Sequence, residues 1–334
     1  MLRSTSLRSA RQMQRCLGLG VQPGTFVRIV EVGPRDGLQN EKSLVSTEDK
    51  IQLIELLAEA GLPAVESTSF VSPKWVPQMK DASEVMSAVS QLQQSRFPQV
   101  DFPVLTPNRK GYDMALQAGA REVAVFGAAS EAFSQKNINC SVEESLARFE
   151  VVMQQAKTDQ VRVRGYVSCV MGCPYQGQVE PAKVAEVARR LIDMGCYEVS
   201  LGDTIGTGNP ALTRRVLEAV QAADIALDSQ VAVHFHDTYG QALANILVAL
   251  DMGVRCVDSA VAGLGGCPYA QGASGNVATE DVVYMLHGMG VDTGIDMHKL
   301  LDASDFISRV LERPPVSKAA CALLGKRQNA RQTE

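Results

Sequence analysis

The chain has 334 residues, 46% hydrophobic and 21% charged, so it can bury a sizeable core in one large domain or two ordinary ones. Its formal net charge of −5 disfavours a nucleic-acid partner, because phosphates select clustered lysine and arginine. No uninterrupted apolar run reaches the roughly 18–20 residues of a membrane helix, and eight cysteines are too dilute for a disulfide scaffold. We therefore expect a soluble protein in a reducing compartment that binds neither nucleic acid nor membrane.

The first segment of the chain is basic and rich in serine. Residues 1–30 contain five arginines and three serines, without an acidic residue. This composition is typical of an organellar transit peptide. We therefore predict that residues 1–24 are a transit peptide and that the protein works in the mitochondrial matrix. The alternative is a disordered basic tail on an enzyme of the bacterial cytoplasm.

From residue 26 onward, short β-branched apolar segments alternate with longer amphipathic segments. Eight such strands with helices between them, over about 240 residues, predict an α/β fold of the (β/α)8 TIM-barrel type. A doubly wound sheet is the competing architecture, but VGPRDGLQN follows the first strand in place of its GxGxxG fingerprint. The predicted strands span residues 26–33, 64–70, 101–107, 122–129, 161–170, 197–203, 230–237 and 256–263.

The segments between the strands carry helix signals. Residues 47–61 have an apolar stripe at helical spacing, with Thr47 as the predicted N-cap. Residues 281–312 predict further helices beyond the eighth unit, which we expect to cover one end of the barrel. The predicted enzyme domain therefore spans residues 25–312, and residues 313–334 are expected to form a C-terminal tail.

Unusual polar residues occur where the predicted strands end. Catalytic groups of a TIM barrel lie at the carboxyl ends of its strands. Arg35 and Asp36 follow strand one in a glycine-flanked turn. An Arg-Asp pair is usually a surface ion pair, but at a barrel rim Arg35 can hold a carboxylate or stabilise an enolate oxygen.

Two further carboxylates belong to this set. Glu66 lies in strand two, and because a buried glutamate is rarely unpaired, we expect it to contact a polar partner such as Arg35. Asp203 ends strand six. It either caps the following turn or orients a histidine of the site, and we favour the second interpretation.

His234 and His236 are two of only four histidines and lie two residues apart in predicted strand seven. This spacing directs both imidazoles to the barrel interior. They are either satisfied core histidines or a metal-binding pair, and the carboxylate of Asp36 favours metal. A mixed nitrogen and oxygen ligand set with open water positions suits Mg²⁺ or Mn²⁺, and Zn²⁺ is also compatible.

Residues 262–276, AGLGGCPYAQGASGN, place five glycines around Cys267. Linkers are usually built of glycine and serine without cysteine, proline or tyrosine. The composition therefore favours an active-site loop that carries Cys267 to the substrate. The unperturbed thiol pKa of about 8.5 allows a useful thiolate fraction beside a cation.

Together these motifs resemble the 3-hydroxy-3-methylglutaryl-CoA (HMG-CoA) lyase family over residues 26–312. The Gly-Cys-Pro-Tyr loop is specific to this lyase. The Arg-Asp turn and the His-x-His strand are shared with a wider superfamily of metal-dependent TIM-barrel enzymes that make or break carbon–carbon bonds. The matching segments are IVEVGPRDGLQNEK (29–42), ESTSFVSPKWVPQM (66–79), VRGYVSCVMGCPY (163–175), LGDTIG (201–206), HFHDTYGQALAN (234–245) and AVAGLGGCPYAQGASGN (260–276).

The resemblance implies cleavage of (S)-HMG-CoA to acetyl-CoA and acetoacetate, a reaction of leucine degradation and ketone-body formation. It implies that Arg35 holds the thioester oxygen and that Cys267 is the acid that protonates the departing enolate. Asp36 and a nearby histidine are both candidates for the base. The implied cation, Mg²⁺ or Mn²⁺, would be held by Asp36, His234, His236 and Asn276.

By the same resemblance, Glu66 and Asp203 would orient Arg35 and the metal site, Lys42 would lie near coenzyme A, and the protein would be a homodimer. The alternative function is a Claisen-type acyl-CoA synthase of the isopropylmalate or citramalate class on the same barrel. The Cys267 loop disfavours that alternative.

Overall fold

A computed structural model describes residues 20–266 and 275–333, with side chains up to residue 330. Short strands alternate with longer helices in these ranges. The strands are β1 (Arg28–Glu31), β2 (Ala64–Val65), β3 (Thr68–Ser69), β4 (Val104–Leu105), β5 (Glu122–Ala128), β6 (Arg162–Ser168), β7 (Glu198–Asp203), β8 (Val231–Phe235) and β9 (Cys256–Ser259). The helices are α1 (Thr47–Glu59), α2 (Ala82–Ser95), α3 (Arg109–Gln117), α4 (Glu131–Ile138), α5 (Val142–Asp159), α6 (Pro181–Met194), α7 (Pro210–Ala222), α8 (Ala242–Asp251), α9 (Thr279–Gly288), α10 (Met297–Val310) and α11 (Lys318–Thr333).

The strands form one parallel sheet in the order β2-β1-β9-β8-β7-β6-β5-β4-β3. Its two ends, β2 and β3, are pieces of the single predicted strand 64–70, so the sheet closes on itself. The backbone changes partner between the pieces: Glu66 N donates to Glu31 O at 2.8 Å, and Ser67 N donates to Pro103 O at 3.0 Å. The predicted (β/α)8 barrel is confirmed.

Helix α1 illustrates how the sequence positions the outer helices. Its buried face includes Leu53 and Leu57, which pack into the layer between helices and sheet. The N-cap is Ser46 rather than the predicted Thr47. Ser46 has extended backbone angles, and its hydroxyl accepts a hydrogen bond from Asp49 N at 3.1 Å.

The helices expected beyond the eighth unit are present. Helix α10 packs against α1 and against the short 3-10 helix Val261–Gly263. The connection from α9 to α10 contacts the start of β1, where Asp292 N donates to Thr25 O at 2.9 Å. That connection therefore lies at the amino ends of the strands, opposite the end where catalytic groups are expected.

The expectation that residues 313–334 form a tail is wrong for most of that segment, because Lys318–Thr333 is helix α11. Asp281 of α9 provides the anchor. Its carboxylate accepts from Ser317 Oγ at 2.9 Å and from Ala319 N at 2.7 Å, which satisfies donors at the start of α11. Within the ranges described above, no helix combines the length and apolarity needed to cross a bilayer.

Candidate active site

A cavity of about 740 Å³ opens at the carboxyl ends of the strands. Its walls include side chains from β6, β8 and the loop after β1, and its outer part reaches Trp75, Lys136 and Arg148. Four of the residues singled out in the sequence line this cavity together: Arg35, Asp36, His234 and His236. The barrel topology therefore brings together groups that are about 200 residues apart in the chain.

A wide helical turn, Gly33–Gly37, presents Arg35 and Asp36. Within it, Asp36 N donates to Val32 O at 2.7 Å, directly after β1 ends. The turn packs closely on the segment after β9, where a Cβ on Gly37 would lie 2.6 Å from the Leu264 Cβ. Glycine is therefore required for the turn to approach this segment.

Arg35 is held by two carboxylates and an aromatic ring. Its Nε donates to Glu66 Oε2 at 2.7 Å, and its Nη1 lies 2.5 Å from Asp36 Oδ1. The guanidinium carbon lies 5.4 Å from the centroid of the Tyr166 ring, and the Tyr166 hydroxyl donates to Glu66 Oε2 at 3.1 Å. The contact expected between Glu66 and Arg35 is confirmed, and it is buried, with 1% and 7% of the respective side chains exposed.

Asp36, His234 and His236 each offer a ligand atom, and these atoms all lie within 4.8 Å of one another. His234 Nε2 is 3.7 Å from Asp36 Oδ2, which is too long for a hydrogen bond. His236 Nδ1 is buried and has no hydrogen-bond partner among the described residues. One carboxylate and two imidazoles that converge in this way fit a divalent cation.

Asn276 lies beside this group. Its Nδ2 donates to Asp36 Oδ2 at 2.9 Å and to Leu264 O at 3.3 Å. Its backbone forms an antiparallel bridge with His236. The carboxamide is therefore next to the metal-binding group, and its role as a fourth ligand stays a prediction.

For Asp36 and His236, the electrostatics favour the protonation states that a cation requires. Burial by itself would raise the pKa of Asp36, but Arg35 and the two histidines outweigh burial and lower that pKa to about 2. Burial, with a smaller effect of His234, lowers the pKa of His236 to about 4. Burial alone would lower the pKa of His234, but Asp258 and Asp36 outweigh burial and raise that pKa. At neutral pH, Asp36 is therefore a carboxylate and His236 a neutral imidazole.

Asp258, on β9, orients His234. Its Oδ2 lies 3.2 Å from His234 Nδ1, so Nε2 is the nitrogen that faces Asp36. Asp258 is itself fixed by Arg164 Nη2 at 2.7 Å and by Ser200 Oγ at 2.7 Å. This arrangement holds the imidazole ring through a carboxylate, as is usual for metal-binding histidines.

The sequence patterns did not single out Asp258 or Arg164. The signal is present, because each lies inside an apolar strand, in CVDSAVAG and VRVRGYVSCV. A charged residue at such a position is rarely buried without a partner. Opposite charges in two predicted strands would have indicated a pair across the barrel interior.

The remaining predicted residues have different surroundings. Asp203 Oδ2 accepts from Gly208 N at 2.8 Å, so Asp203 holds the turn after β7. The contact with a histidine that the sequence led us to expect of Asp203 is made by Asp258. Burial raises the pKa of Asp203 to about 6. Lys42 is exposed and is not among the described residues that line the cavity. Cys267 lies outside the described residues.

Comparisons with known proteins agree with this geometry. The HMGL-like family model matches residues 26–307. The chain is 62% identical over 297 residues to the mitochondrial hydroxymethylglutaryl-CoA lyase of Rattus norvegicus, covering 89% of each chain. It is also similar to the solved hydroxymethylglutaryl-CoA lyase from Pseudomonas aeruginosa, with 56% identity, a TM-score of 0.87, and coverage of 92% of this chain and 100% of that one.

A more distant lyase of this kind, from Acinetobacter baumannii, was solved in complex with coenzyme A and 3-methylmalate. It is 35% identical with a TM-score of 0.83, and the alignment covers 89% of this chain and 95% of that one. The family model and these relatives extend over the whole barrel. The chain therefore belongs to the HMGL-like family, in the branch of the hydroxymethylglutaryl-CoA lyases.

Proposed function

We propose that the chain cleaves HMG-CoA to acetyl-CoA and acetoacetate. The observation that carries the proposal is the cavity in which the Arg35 guanidinium lies beside the Asp36, His234 and His236 group. Relatives named hydroxymethylglutaryl-CoA lyase, at about 60% identity over most of the chain, support the choice of substrate.

The reaction breaks the bond between C2 and C3 of the acyl group. The C3 hydroxyl loses a proton, the carbon–carbon bond opens, and acetyl-CoA leaves as an enolate that must be reprotonated. Negative charge develops on the thioester oxygen, where a fixed guanidinium is most effective. Arg35 suits this task because Glu66 and Tyr166 hold it within the cavity.

Asp36, His234 and His236 would hold the divalent cation, with Asn276 as the proposed fourth ligand and Mg²⁺ or Mn²⁺ as the proposed ion. When bound, such a cation lowers the pKa of a substrate hydroxyl and neutralises adjacent carboxylate charge. Calorimetric titration of the chelator-treated protein with Mg²⁺, Mn²⁺ and Zn²⁺ separately identifies the preferred ion. Asn276→Ala should weaken Mn²⁺ binding about tenfold if the amide is a ligand.

Release of acetoacetate from HMG-CoA is the direct test of the function. We expect turnover with Mg²⁺ or Mn²⁺ and none in the presence of a chelator. Incubation with acetyl-CoA and either pyruvate or 2-oxoisovalerate tests the synthase alternative. Condensation with these 2-oxo acids, without cleavage of HMG-CoA, would favour that alternative over the lyase.

We further propose that Cys267 donates the proton to the departing enolate, as the sequence of its loop suggests. Cys267→Ala should lower kcat by about 10²–10⁴-fold, the range for loss of a general acid. The affinity for Mn²⁺ should stay within about twofold of the wild-type value, because the thiol is not a proposed ligand. Wild-type turnover by this variant would exclude the thiol from catalysis.

Three broader proposals extend the function. The first is a location in the mitochondrial matrix, which the composition of residues 1–24 and the mitochondrial names of the relatives support. A fluorescent fusion should reach mitochondria with residues 1–24 and stay outside them without these residues. Equal distribution of both fusions would favour the bacterial cytoplasmic alternative.

The second is a homodimer. Light scattering on the purified protein should then give twice the mass of the single chain.

The third is a contact between Lys42 and coenzyme A. If Lys42 makes this contact, Lys42→Ala should raise KM while kcat changes little.

A further inference from the structure

Glu31 is a fully buried carboxyl group at the end of β1. Its Oε1 accepts hydrogen bonds from Gly33 N at 2.7 Å and from Val261 N at 2.8 Å, and its Oε2 accepts from Thr279 Oγ1 at 2.6 Å. None of the ion pairs between described residues includes Glu31. Burying a carboxyl without a cationic partner is costly, so this arrangement requires an explanation beyond packing.

The three donors belong to three separate parts of the barrel rim. Gly33 begins the turn that carries Arg35 and Asp36, Val261 begins the 3-10 helix after β9, and Thr279 begins α9. The contacts are tight, since a Cβ on Gly33 would lie 2.5 Å from Glu31 Oε1. One carboxyl group therefore joins segments that are more than 200 residues apart in sequence.

Two of these segments lead directly to Asn276. Ala260 N donates to Val277 O at 3.0 Å, and Thr279 N donates to Ala260 O at 3.1 Å. The segment around Asn276 is therefore hydrogen-bonded to the residues that follow β9. Glu31 accepts a hydrogen bond from the same residues, at Val261 N. Fixing the turn against this segment also fixes the distance from Asp36 to Asn276.

We propose that Glu31 is a positioning residue, which sets the Arg35–Asp36 turn against the segment that bears Asn276 and so assembles the cation-binding side chains. Burial raises the pKa of Glu31 to about 8, and the nearby buried Glu280 adds to this effect. The carboxyl is thus largely protonated at neutral pH. A glutamine at this position keeps a carbonyl acceptor for Gly33 and Val261, and its Nε2 can donate to the Thr279 hydroxyl, which then accepts instead of donating.

The test compares Mn²⁺ binding, measured by electron paramagnetic resonance on the full chain, in three variants. Glu31→Ala should weaken Mn²⁺ binding at least tenfold at a temperature where circular dichroism shows a folded protein. Glu31→Gln should bind Mn²⁺ with an affinity within about threefold of the wild-type value. The matched control is Glu280→Ala, since Glu280 is also fully buried and accepts from Ala262 N at 2.9 Å but makes no hydrogen bond to the turn. Its Mn²⁺ affinity should stay close to that of the wild type.

The kinetic part of the test rests on the proposed function, whereas Mn²⁺ binding does not. With HMG-CoA as substrate, Glu31→Ala should lower both kcat and the affinity for the metal. Glu31→Gln should keep both close to the wild-type values. Inactive wild-type protein would count against the proposed function alone. Equal Mn²⁺ affinities of Glu31→Ala and Glu280→Ala would overturn the positioning role. If Glu31→Ala does not fold, Glu31→Asp decides the question in the same way, because its shorter side chain keeps the carboxyl but cannot reach both N–H groups.

Discussion

Arg35 and His234 are held in place by two different carboxylates. Glu66 holds the Arg35 guanidinium, and Asp258 holds Nδ1 of His234. Asp36 lies between them and interacts with both. Arg35 and His234 are therefore positioned by partners on β9 and between β2 and β3, which limits the rotamers of both side chains.

Arg35→Lys keeps the positive charge and removes the fork of donors. We expect kcat for HMG-CoA cleavage to fall by about 10²–10³-fold, because an ammonium group cannot bind Glu66 and the developing enolate oxygen together. Steady-state kinetics measure this loss, and Mn²⁺ affinity serves as the control for an intact site. A kcat within threefold of the wild type would contradict the role given to the guanidinium.

Asp258→Asn changes the group that holds His234. The variant should bind Mn²⁺ about 10–100-fold more weakly, since partners of metal-binding histidines contribute by this amount. Glu198→Gln is the control, because Glu198 contacts the same Arg164 at 2.7 Å but not the histidine. If both variants lose affinity equally, the effect comes from the buried charge network and not from orientation of the imidazole.

At the scale of elements, the site depends on the contact between the turn after β1 and the segment after β9. Gly37 approaches Leu264, and Gly265 approaches Asn276, whose Nδ2 would be 3.0 Å from an added Cβ. These glycines therefore allow close backbone packing at the rim. The strands that precede these two segments are neighbours in the sheet, where β1 pairs with β9 over four residues.

Gly37→Ala tests this packing. The added methyl group would lie 2.6 Å from the Leu264 Cβ, so the turn must shift. We expect a loss of about 1–3 kcal/mol in the free energy of unfolding, together with weaker Mn²⁺ binding. Gly288→Ala is the matched control, because its Cβ meets no atom within 4 Å at the end of α9. Denaturant titration should show that Gly288→Ala unfolds at the wild-type midpoint or above it.

At the scale of the whole molecule, buried carboxyls make stability depend on pH. The pKa of Glu31 rises from 4.5 to about 8 on burial, and that of Glu280 rises from 4.5 to about 7. A raised folded-state pKa means that the folded protein binds the proton more tightly. The contribution of Glu31 to stability is fully present below pH 4.5 and is lost as pH rises through 8.

Glu31→Gln removes one of these titrations. Between pH 5 and 8, the Tm of the wild type should therefore decline more steeply than that of Glu31→Gln. Differential scanning calorimetry in a chelating buffer measures both slopes without interference from metal binding. Parallel slopes would mean that Glu31 ionises at its ordinary pKa despite its burial.

Much of this molecule follows from local sequence. Alternating apolar segments specify eight βα units, and inward spacing places His234 and His236 on one face of a strand. The rule that catalytic groups lie at the carboxyl ends of strands then adds Arg35, Asp36 and Glu66. Local periodicity and this rule together predict four residues that line the cavity, Arg35, Asp36, His234 and His236, and also Glu66, which holds Arg35.

The partners across the barrel depended on the tertiary structure. Strand register decides the partner of His234, because Asp258 pairs with His234 across the sheet, whereas Asp203 pairs with Phe235 and so faces away from the imidazole. The closed sheet places Asp258 against the imidazole and leaves Asp203 with the turn after β7. The C-terminal helix depended in the same way on Asp281. Sequence thus determined the faces and the chemistry of the groups, and tertiary structure decided which groups meet, because meeting depends on register between distant strands.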